Sequence, residues 1–285
     1  MTRSQVNAIL GIGVASLLLT AAMSPGCQYG QRSSGPSEAR PSSCLEPARM
    51  AEAPSDSPEL SARTDPLAFL RICREHYLAT VHDYRCTFTK RERLPDGLSA
   101  EQTMRVLFRE HPYSVDMRWN KNPGRAVRVL YQADRWVEDG RQMAHVQPGG
   151  ILGLLAPRGV KRDIHGPAMT AESRRPIDHF GFKNTLDLII ADCERFQGDA
   201  GYDLRYIGTR ALCERPCYVF ERRLPYTGEG GCYPNRRLVV YIDREWLVPT
   251  GTFAYADNAM TELLGSYLLS DVEFNGGLTD ADFEW

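Results

Sequence analysis

Between Tyr84 and Tyr131 the chain alternates apolar and polar side chains through four successive segments. Tyr84, Cys86 and Phe88 fall opposite Arg85, Thr87, Thr89 and Arg91, and Met104, Val106 and Phe108 fall opposite Thr103, Arg105 and Arg109. The third segment is the cleanest: Tyr113, Val115, Met117 and Trp119 interleave with Ser114, Asp116, Arg118 and Asn120. Val127, Val129 and Tyr131 close the series around Arg128. A period of two sends alternate side chains to opposite faces of a sheet. Pro95-Asp96-Gly97, His111-Pro112 and Asn122-Pro123-Gly124 stand where the chain must reverse. The pattern predicts an antiparallel meander with one apolar face and one charged face. On the charged face, Arg105, Arg109, Arg118 and Arg128 can meet an anionic partner or, by default, water.

Helical periodicity brackets this meander. Asp65-Pro66 has the chemistry of a helix start, and Leu67, Leu70, Cys73, Tyr77 and Val81 share one stripe. A second helix is expected over 184–196, with Asn184 and Asp187 as its cap and capping box and Leu186, Ile189, Ile190, Cys193 and Phe196 as its stripe. Between meander and helix, residues 142–147 suit a short strand, and 148–155 form an apolar, glycine-rich run best read as a buried loop, with a flap over a pocket as the alternative. Residues 156–180 lack periodicity and are expected to be loop. Strand patterns resume at 202–206, 217–220, 238–242, 253–255 and 263–272. Two runs of strands with helices between them indicate an α+β fold.

The amino terminus is of another kind. Arg3 precedes a largely apolar run, Val6 to Met23, that is long for a signal core and short for a membrane span. Ser24-Pro25-Gly26-Cys27 follows and resembles the lipobox of bacterial lipoproteins, with Ser24 and Pro25 departing from its usual residues. That resemblance implies cleavage after residue 26 and acylation of Cys27, a simple cleaved signal or an uncleaved anchor being the alternatives. Gln28 stands where lipoproteins retained in the inner membrane often carry Asp, which leans toward the outer membrane. Residues 27–63, rich in Ser, Pro, Gly, Ala and Glu, are expected to be a disordered tether with a reach of about 30–36 Å. Export would make disulfides possible, and Cys217 with Cys232, or Cys73 with Cys86, are the candidate pairs.

Several classes of function lack their signatures. A formal charge of −2 with mixed signs gives no basis for binding nucleic acid. No metalloprotease, nucleophile-elbow, phosphate-loop or dinucleotide motif occurs, and Cys213, Cys217 and Cys232 lack a fourth zinc ligand at suitable spacing. Neither catalysis, metal nor cofactor is expected.

Three segments carry a resemblance to a known family. Arg109-Glu110-His111-Pro112-Tyr113 with Met117-Arg118-Trp119, then Val240-Tyr241-Ile242-Asp243-Arg244-Glu245 with Leu247-Val248-Pro249, and lastly residues 275–283, from Asn275 to Phe283, resemble the LolA-like lipoprotein carriers. The run Tyr84–Arg93 is similar to the opening strand of a group of LolA-like bacterial lipoproteins bearing a domain of unknown function. Over residues 64–285 the resemblance implies a curved, unclosed antiparallel β-sheet, a half-barrel, with helices covering its concave face. It further implies a cavity that takes a lipid or acyl chain, lined by Val106, Phe108, Val115, Met117, Trp119, Val129 and Tyr131. The function expected on this basis is a membrane-tethered envelope lipoprotein facing the periplasm, with a lipid or an acylated protein as partner. The alternative is a structural or interaction domain of the envelope whose core is filled by its own side chains.

Overall fold

The structure, a computed structural model, describes residues 58–285. Cys27 and the signal-like segment lie outside the described residues. Two helices lead, α1 (Pro58–Thr64) and α2 (Pro66–Thr80). Asp65 caps α2 by accepting the Ala68 amide at 2.9 Å, with Pro66 in the first turn. Leu70, Cys73, Tyr77 and Val81 are buried along the expected stripe. α1 corrects one expectation, because it lies within the stretch read as tether. It buries a single side chain, Ala62, which is too little to leave a periodic signal, and Tyr206 donates to its Glu59 at 2.7 Å.

The first meander comprises β1 (Asp83–Leu94), the short β2 (Gly97–Leu98), β3 (Gln102–Arg109), β4 (Ser114–Lys121) and β5 (Ala126–Gln132). β6 (Val137–Glu138) and β7 (Arg141–Pro148) extend it. The next stretch holds α3 (Gly150–Leu155), β8 (Val160–Asp163), α4 (Pro167–Thr170), a 3-10 turn at Ile177–His179 and α5 (Phe182–Phe196). The second meander is β9 (Asp203–Leu212), β10 (Arg215–Arg223), β11 (Arg237–Asp243), β12 (Pro249–Tyr255) and β13 (Leu263–Phe274), with a 3-10 turn at Asp280–Phe283 after it.

Both meanders belong to one antiparallel sheet of thirteen strands, ordered β6-β7-β5-β4-β3-β1-β13-β12-β11-β10-β9, with β2 on β1 and β8 on β7. The two ends do not meet, so the sheet is an open half-barrel. The first strand pairs with the last, Tyr84 opposite Phe274 and Glu92 opposite Gly265. One core lies between the second meander and helices α1, α2 and α5, and contains Phe69, Cys73, Ile190, Phe220 and Val240. Another lies on the inner face of the first meander, around Tyr84, Met104, Phe108, Val115 and Phe182. The fold is α+β, with the helices on the concave face.

α5 begins earlier than expected, at Phe182 with Gly181 as its N-cap. Gly181 has φ +112°, and a Cβ there would sit 3.1 Å from the Phe108 ring, so glycine answers both conformation and space. Asn184 therefore lies inside the first turn, where its amide donates to the carbonyls of Asp178 (3.0 Å) and Phe180 (2.9 Å). Asp187 faces Lys183 and Arg74 instead of closing a capping box.

The expected disulfides do not form. Cys73 and Cys86 are buried thiols in different cores, one under the helices and one under the first meander. Cys217 is buried 3.8 Å from the Thr250 hydroxyl, and burial pushes its thiol up to about 11, while Cys232 is exposed. Cys217 is fixed on β10 in the core, whereas Cys232 lies in the loop between β10 and β11, in solvent.

On the outer face, two of the arginines meet the chain's own carboxyl-terminal segment. Arg109 donates to Asp280 at 2.6 Å and lies over the Phe283 ring, while Arg128 binds the buried Asp116 and the Glu284 carbonyl. Arg118 also reaches Asp116, at 2.9 Å, and Arg105 is exposed. Phe283 is fully buried against Leu130 and Leu278. Phe283→Ala is expected to cost about 3–5 kcal/mol despite lying two residues from the end, read as a lower urea midpoint at unchanged m-value. A midpoint equal to that of the parent would show that the segment is not docked.

Candidate functional site

The concave face of the first meander is only partly covered. Its alternation continues past Phe88 in the same register, so Lys90 and Glu92 also point inward. Toward the helices, Tyr84, Phe108, Phe182 and Phe274 pack ring against ring at 4.7–6.0 Å and close the space. Away from them lies a cavity of about 360 Å³. Its floor takes Phe88, Met117, Trp119 and Val129 from the first meander, Val146 from β7 and Leu269 from β13. The segment after β8, with Met169, Ile177 and Phe180 pointing down, forms its roof, and Val160 and Arg162 of β8 and Leu152 of α3 stand on its wall.

The roof is pinned by hydrogen bonds, so its position does not rest on apolar contact alone. Tyr113, in the turn between β3 and β4, donates to the carbonyls of Phe180 (2.8 Å) and Ile177 (3.2 Å), and Asn184 holds the same turn from the helix side. Serine and backbone donors of the roof reach Glu92, from the Ser173 hydroxyl at 3.3 Å and the Arg174 amide at 3.2 Å. The cavity thereby acquires one polar end. There the Lys90 ammonium donates to Glu92 at 2.6 Å and to Ser173 at 3.2 Å, and Tyr267 donates to Glu92 at 2.8 Å. Glu92 is 1% exposed and Lys90 8%. Burial works to raise the Glu92 carboxyl, but the adjacent Lys90 charge and the donors around it hold it below its ordinary value. A pair this dry is kept only because each charge has a partner. Trp119 is held by its indole N–H to Gln102 at 3.2 Å, and the Arg175 guanidinium lies 5.3 Å from the Tyr267 ring centre.

Among the residues expected to bind a ligand, Met117, Trp119 and Val129 line the cavity. Val106, Phe108, Val115 and Tyr131 are buried in the neighbouring core, where the helices and aromatic rings already cover them. Lys90, Glu92 and the roof escaped the sequence reading. The signal for the pair was the parity of the first strand, which places both charges on the same face as Tyr84, Cys86 and Phe88. The roof left no signal, because residues 156–180 have no period, although they form β8, α4 and a 3-10 turn. No group of metal-ligating side chains occurs among the described residues. A largely apolar pocket with the paired Lys90 and Glu92 at one end, and Arg125, Arg162, Glu172, Arg175 and His179 also among its lining, can hold a nonpolar or amphiphilic molecule, and its size is near the lower end of the roughly 300–1,000 Å³ usual for small-molecule sites.

Residues 81–285 match the family described as a protein of unknown function, DUF1571. No curated protein sequence matches the chain. Similar solved structures include a DUF1329 family protein from Desulfovibrio piger, 14% identical, covering 78% of this chain and 98% of that one, with a TM-score of 0.39. A LolA superfamily protein from Nitrosomonas europaea is 11% identical, with 76% and 97% covered and a TM-score of 0.33. The Mycobacterium tuberculosis lipoprotein LppX is 13% identical, with 76% and 99% covered and a TM-score of 0.38.

The buried pair gives a pH-dependent expectation. In Lys90→Met, burial of an unpaired Glu92 would raise its carboxyl above the ordinary 4.5. The variant should lose about 3–5 kcal/mol at pH 7, and acidification toward pH 5 should return part of it, since protonation then relieves the folded state more than the unfolded one. The parent, whose Glu92 is held low, should gain nothing over that interval from this group. Urea midpoints at both pH values would show it; equal losses at both would place the stabilisation elsewhere.

Proposed function

The chain belongs to the DUF1571 family of proteins of unknown function, and from that premise we propose that it binds a hydrophobic ligand, a lipid or acyl chain, in the concave cavity. One observation carries the reading: a largely apolar space of about 360 Å³ remains open on the concave face, beside the packed core of the first meander. Burying an acyl chain there would contribute roughly 0.8 kcal/mol per methylene. The volume suits one chain, with Phe88, Met117, Val129 and Leu269 along the tail and the Lys90–Glu92 end facing the head. The charges at that end are already mutually satisfied, so the ligand need supply only hydrogen bonds.

The proposal includes a place for the protein. Acylation at Cys27 and the stretch to residue 57 would hold the cavity near a membrane of the cell envelope, facing the periplasm, with the outer membrane favoured by Gln28. Among the described residues no helix is long and apolar enough to cross a membrane. A second reading, an envelope interaction domain with a self-filled core, is favoured by Val106, Phe108, Val115 and Tyr131, which are core residues.

Native mass spectrometry of residues 58–285, exported and purified without detergent, separates the two readings. A reproducible extra mass that extracts as lipid is the expected result, and Val129→Trp, which fills the cavity, should reduce occupancy more than tenfold with the fold intact. A chain that stays bare after incubation with fatty acids and phospholipids would leave the interaction domain as the account. Independently, the parent should incorporate a labelled fatty acid and sediment with membranes. Cys27→Ser should lose the label; equal labelling of both would place the acyl chain elsewhere.

A further inference from the structure

The apolar run expected to be a buried loop is the most exposed hydrophobic segment among the described residues. Ile151, Leu152, Leu154 and Leu155 of α3 are 77, 60, 81 and 76% exposed. Soluble surfaces seldom gather four large aliphatic side chains within five positions. The helix is held from behind: the Gly149 amide donates to the Arg125 carbonyl at 2.8 Å, and Gln147 donates to the Ala156 carbonyl at 3.2 Å. Its own turn is closed by Gly153 to Gly149 and Ala156 to Leu152.

The charges around it leave a surplus of cations. Residues 149–162 contain Arg158, Lys161 and Arg162 and no carboxylate. The acidic groups on neighbouring elements are engaged, Glu138 with Lys161 at 2.9 Å, Glu172 with Arg125 at 3.1 Å and Asp163 with Arg141 at 3.8 Å. Arg158 and Arg162 are exposed and have no carboxylate partner among the described residues. Aliphatic side chains ringed by surplus cations complement an anionic lipid surface. A protein partner fits less well, since α3 offers no aromatic anchor and four side chains fall far short of the roughly 20–30 residues a side of a stable interface.

We propose that α3 inserts into an anionic bilayer, with Arg158 and Arg162 on the headgroups, as a second membrane contact beside the cavity. Leu152 belongs to both the tip and the cavity wall, so insertion would bring that wall against lipid. The proposal stands on the exposed tip and does not depend on what the cavity holds.

In the full chain the amino terminus can hold the protein on a vesicle by itself, so the readout is the environment of position 154. Leu154→Trp, and Leu155→Trp separately, would be compared with the parent on vesicles of phosphatidylcholine with or without phosphatidylglycerol. Blue-shifted emission and quenching by bromine-labelled acyl chains are expected on the anionic vesicles. Insertion should weaken about fivefold per cation removed, hence roughly twenty-five-fold in the Arg158→Gln, Arg162→Gln variant. A tryptophan that stays quenched by aqueous iodide and untouched by brominated lipid at both positions would overturn the proposal. So would a blue shift that grows with protein concentration in the absence of lipid, which would assign the patch to a second copy. Insertion by a chain that carries no lipid in its cavity would remove the ligand-binding reading and leave this one standing.

Discussion

The pairing of β1 with β13 is the contact on which the rest of the molecule depends. It joins residues 84–92 to 265–274 and turns two meanders into one curved sheet. Closing a loop of this length costs chain entropy that no local contact returns, although the cost grows only slowly with length. The compensation lies around the seam. Tyr84 stacks on Phe108 at 4.7 Å, and Phe182 and Phe274 complete the cluster, so rings from β1, β3, α5 and β13 meet at one place. Asn275 fastens the same seam by accepting the His82 amide and donating to the Thr80 carbonyl, both at 2.8 Å.

From that seam the inner surface divides. On one side α2 and α5 cover the sheet, and Arg222, itself fully buried, reaches Asp192 of α5 at 2.8 Å. On the other side the cover is the irregular segment after β8, held by single hydrogen bonds instead of a packed helix stripe. A cavity survives where the cover is thinnest. The Lys90–Glu92 pair at its end is a costly way to finish a strand, since both charges are nearly dry, and hydrogen bonds from Ser173, Arg174 and Tyr267 are needed to maintain it.

The outer face shows the same economy. Arg109 and Arg128 looked like free charges because their strand neighbours are polar, yet residues 278–285 return to cover them. Arg109 meets Asp280 and Arg128 meets the Glu284 carbonyl more than 150 positions away, and a charged side chain carries no record of a partner so distant, although Arg128 also pairs with Asp116 on the neighbouring strand. The disulfide expectations failed for a related reason. Spacing along the chain brought Cys73 near Cys86, but the helix and the first strand direct them into different cores.

Alternation determined the first meander, strand patterns including the uninterrupted apolar run 238–242 marked the second, and the stripe at Leu70, Cys73 and Tyr77 with its Asp65 cap determined α2, because period and capping are local properties of the backbone. The same parity already committed Lys90 and Glu92 to the inner face. What the tertiary structure alone decided was which stretch of that face would be core and which cavity. Val115 and Met117 are two positions apart on one strand and identical in pattern, yet one lies beneath packed rings and the other faces open space. The exposure of α3 was decided in the same way. An apolar run specifies that it should leave water, but whether it does so against its own chain depends on the area left uncovered when every other element has been placed.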